Sequence, residues 1–474
     1  MKSLCLYVMS AICVMPIAAI AADSTHISPE AIATAQKLRD KALDDTTAYD
    51  FVAGLTTEIG PRLAGSPNDQ RARDWVMAHF KALGFDKVWT EPATFPKWVR
   101  RGQSASIVAP FQQNLVILAL GNSPGTPKGG VTGDVVAFKD FPDFQKANAA
   151  SVKGKIVYIG FRMHQMRDGH DYGMGSEGRT QGPALAAKLG AKAFVLRSAG
   201  TDDNRLAHTG VTTFDKGGPK IAAAAMSNPD ADLLERMLAM GKPVTLKLDL
   251  DCGIEGAYTG ANVIGEITGR EKPDEAVVIG GHLDSWDPGT GAIDDGAGVA
   301  IATGAAHLVS LLPQHPKRSI RVVAFANEEA GMYGGHSFAD AHKADVAKFT
   351  IGAESDFGSG RVWRLSTKVK PESLGAIDQM MQVLAPIGVE RGPDGHGHGG
   401  DFGAMGDAGM AVIDLGQDGT RYFDWHHTAN DTLDKIDPKD LAQNVAVYAV
   451  FSYLAAEADG DFGSAPGAFA TPKN

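Results

Sequence analysis

The stretch that most constrains this chain runs from Val277 to Val299, VVIGGHLDSWDPGTGAIDDGAGV. An apolar run, Val277-Val278-Ile279, breaks at Gly280-Gly281 into a polar segment carrying His282, Asp284, Asp294 and Asp295. The pattern predicts a short buried strand, a loop, and a helix starting near Gly296. In open α/β sheets, ligands sit beyond the carboxyl ends of strands, which is where His282 and Asp284 fall. A His, a nearby Asp and a later Asp pair make a credible start to a metal site.

The alternation of strands and helices continues downstream. ANVIGEITG, EAVVIGG, SIRVVAFAN, FTIGAES and GMAVIDLG read as strands. The segment from Gly296 to Leu312, then GGHSFADAHK, SLGAIDQMMQVLAPIG and DLAQNVAVYAVFSYLAAEA, read as helices. The fold class is α/β, a three-layer sandwich around a mixed β-sheet. Upstream, IATAQKLRDKALDD and DQRARDWVMAHFKALGF carry helical spacing and supply the helices this sheet needs. GPRLAGSP between them reads as a turn-rich loop, with a segment packed near a pocket as the alternative. Residues 116–251 hold short β-rich runs and two helical patterns, GPALAAKLGA and PDADLLERMLAMG, and read as an inserted β-rich module. Its His164, His170 and His208 read as solvated loop residues. The expected layout is a signal peptide over 1–21, the α/β domain in two parts (23–115 and 252–460) around the insertion, and a disordered tail over 461–474.

The chain has 474 residues, enough for two or three domains. Its net charge of -11 argues against nucleic acid as a partner. Lys2, the apolar run Leu4 to Ile20, and Ala19-Ile20-Ala21 fit a secretory signal, which implies a secreted or periplasmic protein with no stable membrane anchor after cleavage. Cys5 and Cys13 leave with that signal, and the lone Cys252 allows neither an intramolecular disulfide nor a thiolate zinc cluster.

Four strands end in side chains that bind metals. The first delivers His282 and Asp284, the second Glu328-Glu329, the third Asp356, and the fourth is followed by a loop with His426-His427. Asp294 comes from the loop after the first. A borderline divalent ion takes imidazole nitrogen and carboxylate oxygen. Two such ions need a shared ligand, which a bridging carboxylate supplies. One residue of the Glu pair can ligate while its neighbour acts as general base.

In this order, GGHLDS, IDDGAG, NEEAGMYGG, ESD and HHTANDT resemble the co-catalytic zinc exopeptidases of metallopeptidase family 28. GPRLAGSP and YFDWHHTANDTLDKIDP resemble the carboxypeptidase Q group within it (plasma glutamate carboxypeptidase-like), and the insertion resembles a protease-associated domain. The resemblance implies two Zn2+ per chain. His282 and Asp356 would bind one, Glu329 and His427 the other, and Asp294 would bridge them. Glu328 would be the general base, and Asp284 would hydrogen-bond the far side of the His282 ring. A cis peptide is implied after Asp294. His426 is an alternative to His427 as ligand, and Tyr422 either stabilises the oxyanion or packs at the rim. His396 and His398 either line the pocket or belong to a flexible loop.

The implied function is hydrolysis of short peptides or dipeptides by an exopeptidase. The rivals are a single-zinc glutaminyl cyclase of the same fold, a catalytically inactive binding protein, and a di-zinc amidase acting on non-peptide amides. The recognised terminus stays open, with Arg361, Arg364 and Arg421 available to hold a carboxylate, and so does a homodimer.

Overall fold

The computed structural model describes residues 24–395 and 400–470. The signal-peptide reading, His396 and His398 therefore lie outside the described residues. Four parallel strands form the centre of the sheet, in the order Val412–Gln417, Phe349–Glu354, Lys272–His282, Arg318–Phe325. Val362–Lys368 adds antiparallel on one side and Thr245–Ile267 antiparallel on the other, so the sheet is mixed, as expected.

Alternation along the Lys272–His282 strand explains the three layers. Val277 and Ile279 pack into one apolar core with helices Pro29–Ala42, Ala297–Ser310 and Pro438–Glu457. Val278 points the other way, into a core with Phe338 and Met405 from helices Tyr333–His342 and Gly403–Ala408. A strand buried on both faces has to be apolar throughout, which is the sequence signal read at Val277–Ile279. No helix among the described residues is long and apolar enough to cross a membrane.

The inserted region differs in character from its expectation. Strands Val131–Phe138, Ile156–Ile159, Ala193–Arg197 and Ala222–Met226 run parallel, with Ile117–Ala119 antiparallel at the edge. Helix Asn228–Ala239 covers one face. Helix Tyr172–Lys188 covers the other. It is a small α/β layer rather than a β-rich one.

This layer joins the main sheet through two long paired strands, Lys87–Ala109 and Thr245–Ile267. The boundary expected between Asp251 and Cys252 falls inside the second strand. PVTLKLDLD and ANVIGEITG are the two ends of this one ribbon. The tail also differs: over 461–470 the chain packs against the body. Phe462 is buried, Ala465 N–H donates to the Gly409 carbonyl, and Ser464 Oγ accepts from Ala411 N–H.

Candidate metal centre

The Lys272–His282 strand ends in His282, and the loop after it returns to begin helix Ala297–Ser310. Asp295 closes that return. Its carboxylate accepts from the main-chain amides of His282 (3.0 Å) and Gly298 (2.9 Å). A Cβ on Gly281 or Gly298 would lie 2.2 or 2.3 Å from this carboxylate, so both positions require glycine. The Asp294–Asp295 peptide is cis.

Asp294 sits at the middle of a buried cluster. Its Oδ1 lies 3.2 Å from His282 Nε2, and its Oδ2 lies 3.0 Å from His427 Nε2. Asp356 Oδ1 is 3.4 Å from His282 Nε2, and Glu329 Oε2 is 2.9 Å from His427 Nε2. His426 stacks on His427 and reaches Asp294 Oδ2 at 3.5 Å, and makes no ion pair with Glu329. Tyr422 and Glu328 line the same cleft.

Each of the two closer histidines has its other ring nitrogen on a carbonyl. His282 Nδ1 donates to the Asp284 carbonyl at 2.9 Å, and His427 Nδ1 donates to the Thr209 carbonyl at 3.2 Å. A carbonyl can only accept, so both Nε2 atoms turn a lone pair toward carboxylate oxygens. That arrangement is favourable only with a proton or a cation in between. Asp294 Oδ2 and Glu329 Oε1 are also buried without a hydrogen-bond partner. The donor set of imidazoles and carboxylates fits a borderline divalent ion.

The electrostatics agree with that fit. Burial raises the Glu328 carboxyl well above its ordinary range, and Asp356, Glu329 and Asp401 push the same way. Glu329 is pushed up to about 7 by burial and by Asp294, against the pull of His427. Burial would lower the His282 and His427 rings, yet the surrounding carboxylates hold both well above the usual imidazole range. Acids that resist ionising beside imidazoles that resist losing a proton indicate a site short of positive charge.

Asp284 lies against the far side of the His282 ring from Asp294. Its carboxylate Oδ1 is 3.7 Å from the His282 ring. The same oxygen accepts from the Glu328 main-chain amide at 3.0 Å. The Asp284 carbonyl accepts from His282 Nδ1, and the Asp284 side chain lies beside that nitrogen while it also anchors Glu328.

A relative named carboxypeptidase Q from Homo sapiens is 33% identical over 415 residues, covering 86% of this chain and 85% of its own length. The model of the family described as Peptidase family M28 matches residues 262–452. This chain belongs to peptidase family M28. It is a peptidase. A crystal structure described as a Peptidase M28 precursor from Shewanella amazonensis has a TM-score of 0.89 at 46% identity, covering 91% of this chain and 98% of that one. A zinc aminopeptidase from Bacillus subtilis, at 20% identity and a TM-score of 0.60, covers 86% of this chain and 94% of its own and shares the fold.

Three residues of this M28 chain escaped the sequence reading. Arg62, in GPRLAGSP, is buried and holds the ligand loop. Its Nε donates to the Leu283 carbonyl at 2.7 Å, and Nη1 and Nη2 donate to Thr290 (2.6 Å) and Gly291 (2.8 Å). Asp431, in HHTANDT, accepts from the Ala292 and Ile293 amides at 2.7 Å each, just before Asp294.

The third is His208, read as solvated. It is buried, with Nδ1 donating to the His426 carbonyl at 2.7 Å and Nε2 2.6 Å from Asp202 Oδ1. His164 and His170 are exposed, as expected. Arg361 and Arg421 line a separate cavity with Trp363 and Trp425, and Arg364 lines neither that cavity nor the metal cleft.

Proposed function

We propose that this chain is a di-zinc exopeptidase hydrolysing short peptides or dipeptides, exported to the periplasm or secreted. One observation carries this reading: the two oxygens of Asp294 face two different histidines, each with a second acid beside it. His282 and Asp356 would hold one ion, Glu329 and His427 the other, and Asp294 would be shared. Relatives named carboxypeptidase Q and zinc aminopeptidase support zinc and an exopeptidase. Bound ions would supply Lewis acidity and lower the pKa of a water in the cleft.

The chain's own residues do the rest. Glu328 accepts the proton of the attacking water and delivers it to the leaving nitrogen. Its raised pKa suits a group that must both take and give a proton. Asp284 holds the Glu328 main chain in place. The carbonyls of Asp284 and Thr209 keep the His282 and His427 tautomers open toward the ions. Tyr422 lines the cleft where it can donate to a developing oxyanion. The inserted layer is read as a protease-associated-like unit that walls the cleft.

The test is Glu328→Gln, with dipeptide turnover and zinc content measured on the same sample. The expected result is a fall in kcat of about 10²–10⁴-fold, the usual size of a general acid–base contribution, with zinc content unchanged. Unchanged kcat would remove Glu328 as base. Retained turnover in a zinc-free sample would remove the metallopeptidase reading.

A further inference from the structure

Segment 201–209 of the inserted layer is bonded to the loop that carries His426 and His427. Thr201 N–H donates to the Phe423 carbonyl at 3.0 Å, and Thr209 N–H donates to the His427 carbonyl at 3.1 Å. The Thr209 carbonyl in turn accepts from His427 Nδ1. Thr209 is itself held on two sides. Arg100 Nη2 donates to its hydroxyl at 2.7 Å, and Arg179 Nη1 reaches its carbonyl at 3.4 Å.

The loop needs such support. His427 has φ +62°, the left-handed region that a residue other than glycine keeps only when its surroundings impose it. Its carbonyl and that of His426 both receive donors from the inserted layer, at Thr209 and His208.

His208 is the more specialised of the two donors. Its side chain and that of Asp202 are 0% and 2% exposed. Nδ1 faces the His426 carbonyl at 2.7 Å, and Nε2 faces Asp202 Oδ1 at 2.6 Å. A carbonyl only accepts, so Nδ1 carries a proton, and the contact with Asp202 needs a second proton between ring and carboxylate. The other Asp202 oxygen accepts from Asn204 N–H at 2.8 Å, and the His208 amide donates to Ser198 Oγ at 2.8 Å. A Cβ on Gly200 would lie 2.2 Å from His208 Cε1, so the main chain also packs against the ring. Apolar side chains fill a buried contact at less cost than an imidazole and a carboxylate. They do not fix one carbonyl in one direction.

We propose that Asp202 and His208 are positioning residues for the metal centre. By fixing the His426 carbonyl they hold His427 in its left-handed conformation, with Nε2 toward Asp294 and Glu329, and so set the affinity for one of the two ions. This rests on the two-ion reading above. The inserted layer then builds the Glu329–His427 half of the centre, whereas His282 and Asp356 stand at the ends of main-sheet strands.

Two substitutions separate positioning from packing. An asparagine amide, attached at Cγ as Nδ1 is, keeps a donor toward the His426 carbonyl; a glutamine amide, one carbon further out, lies on the Nε2 side. Zinc is titrated into each metal-free full chain against a competing chelator, with urea unfolding of each as a check on folding. His208→Gln should weaken one ion by about 10–100-fold, the usual cost of losing a partner that orients a ligand, and leave the other within about threefold. His208→Asn should keep both ions within about threefold of the unsubstituted chain. Equal losses in the two variants, equal weakening of both ions in His208→Gln, or full affinity in His208→Gln would each overturn the proposal.

Amide exchange on the unsubstituted chain needs no variant. With zinc removed, the Thr201 and Thr209 amides should exchange at least about 100-fold more slowly than free amides, because the layer and not the ion holds the loop. Exchange at the free rate in the metal-free chain would overturn the proposal. A chain that takes up one zinc or none would count against the two-ion reading instead, and the exchange arm would still decide whether the layer holds the loop.

Discussion

The Asp284 carboxylate accepts a hydrogen bond from the main-chain amide of Glu328 at 3.0 Å. The two residues follow adjacent parallel strands, so the bond ties one strand end to the turn that follows the other. That turn is closed by Gly331 and Met332, whose amides both donate to the Glu328 carbonyl. Asp284→Ala should therefore lower kcat/KM by about 10–100-fold, the usual cost of losing a partner of this kind. Asp284→Asn keeps an acceptor oxygen and should lose less. Steady-state kinetics of the pair checks this, and full activity in Asp284→Ala would mean the bond has no part in positioning the base.

Arg62 offers a stability test. Removing its guanidinium leaves the carbonyls of Leu283 and Thr290 without their donor in a buried loop, while Gly291 keeps the Gly296 amide. Arg62→Met should cost about 3 kcal/mol, at the upper end for buried polar groups left unsatisfied. Urea unfolding measures the loss, and zinc affinity should fall with it because the loop carries Asp294. A change within about 0.5 kcal/mol, the range of ordinary surface substitutions, would contradict this role.

His426 and His427 can be separated. His427 reaches both Asp294 and Glu329, whereas His426 stacks beside it and approaches Asp294 alone. His427→Ala should lose at least one zinc per chain, and His426→Ala should retain both. Metal analysis of the two variants decides between them, and the reverse pattern would exchange the assignments.

Much of this was legible in the sequence because the site lies at strand ends. Val277–Ile279 announces a doubly buried strand, and His282, Glu328-Glu329 and Asp356 each follow such a run. His427 was harder to separate from His426, since neighbouring residues share a loop and only geometry tells them apart.

Arg62 was hidden because a buried arginine inside a proline- and glycine-rich turn looks like any loop cation. Arg179 was hidden for a different reason. It sits in YGMGSEGRTQG, where glycines conceal helical spacing. The helix forms there because its glycines allow close packing; a Cβ on Gly182 would lie 2.6 Å from the Phe194 ring. The strand Lys87–Ala109 was hidden by Pro92 and Pro96, which an edge strand tolerates.

Glu266 gives a pH dependence away from the site. Burial would raise its carboxyl, but hydrogen bonds from Lys87 (2.7 Å) and Arg321 (2.8 Å) outweigh burial and hold it below its ordinary value. A carboxyl depressed in the folded state stabilises the fold above its unfolded pKa, and that contribution disappears as pH falls through the folded pKa. Glu266→Gln should be less stable than the native chain by about 1.5–3 kcal/mol near pH 7, the range for hydrogen bonds to charged groups. The difference should close below the ordinary glutamate range, about pH 4. Denaturation at a series of pH values checks the sign, and a difference that widened on acidification would contradict it.

The central claim is that Asp294 is shared between two ions. It is tested most directly by zinc per chain, measured by elemental analysis on the purified protein and on Asp294→Asn. The account predicts two zinc ions in the native chain and loss of both in the variant. One zinc in the native chain, or two retained in the variant, would contradict it.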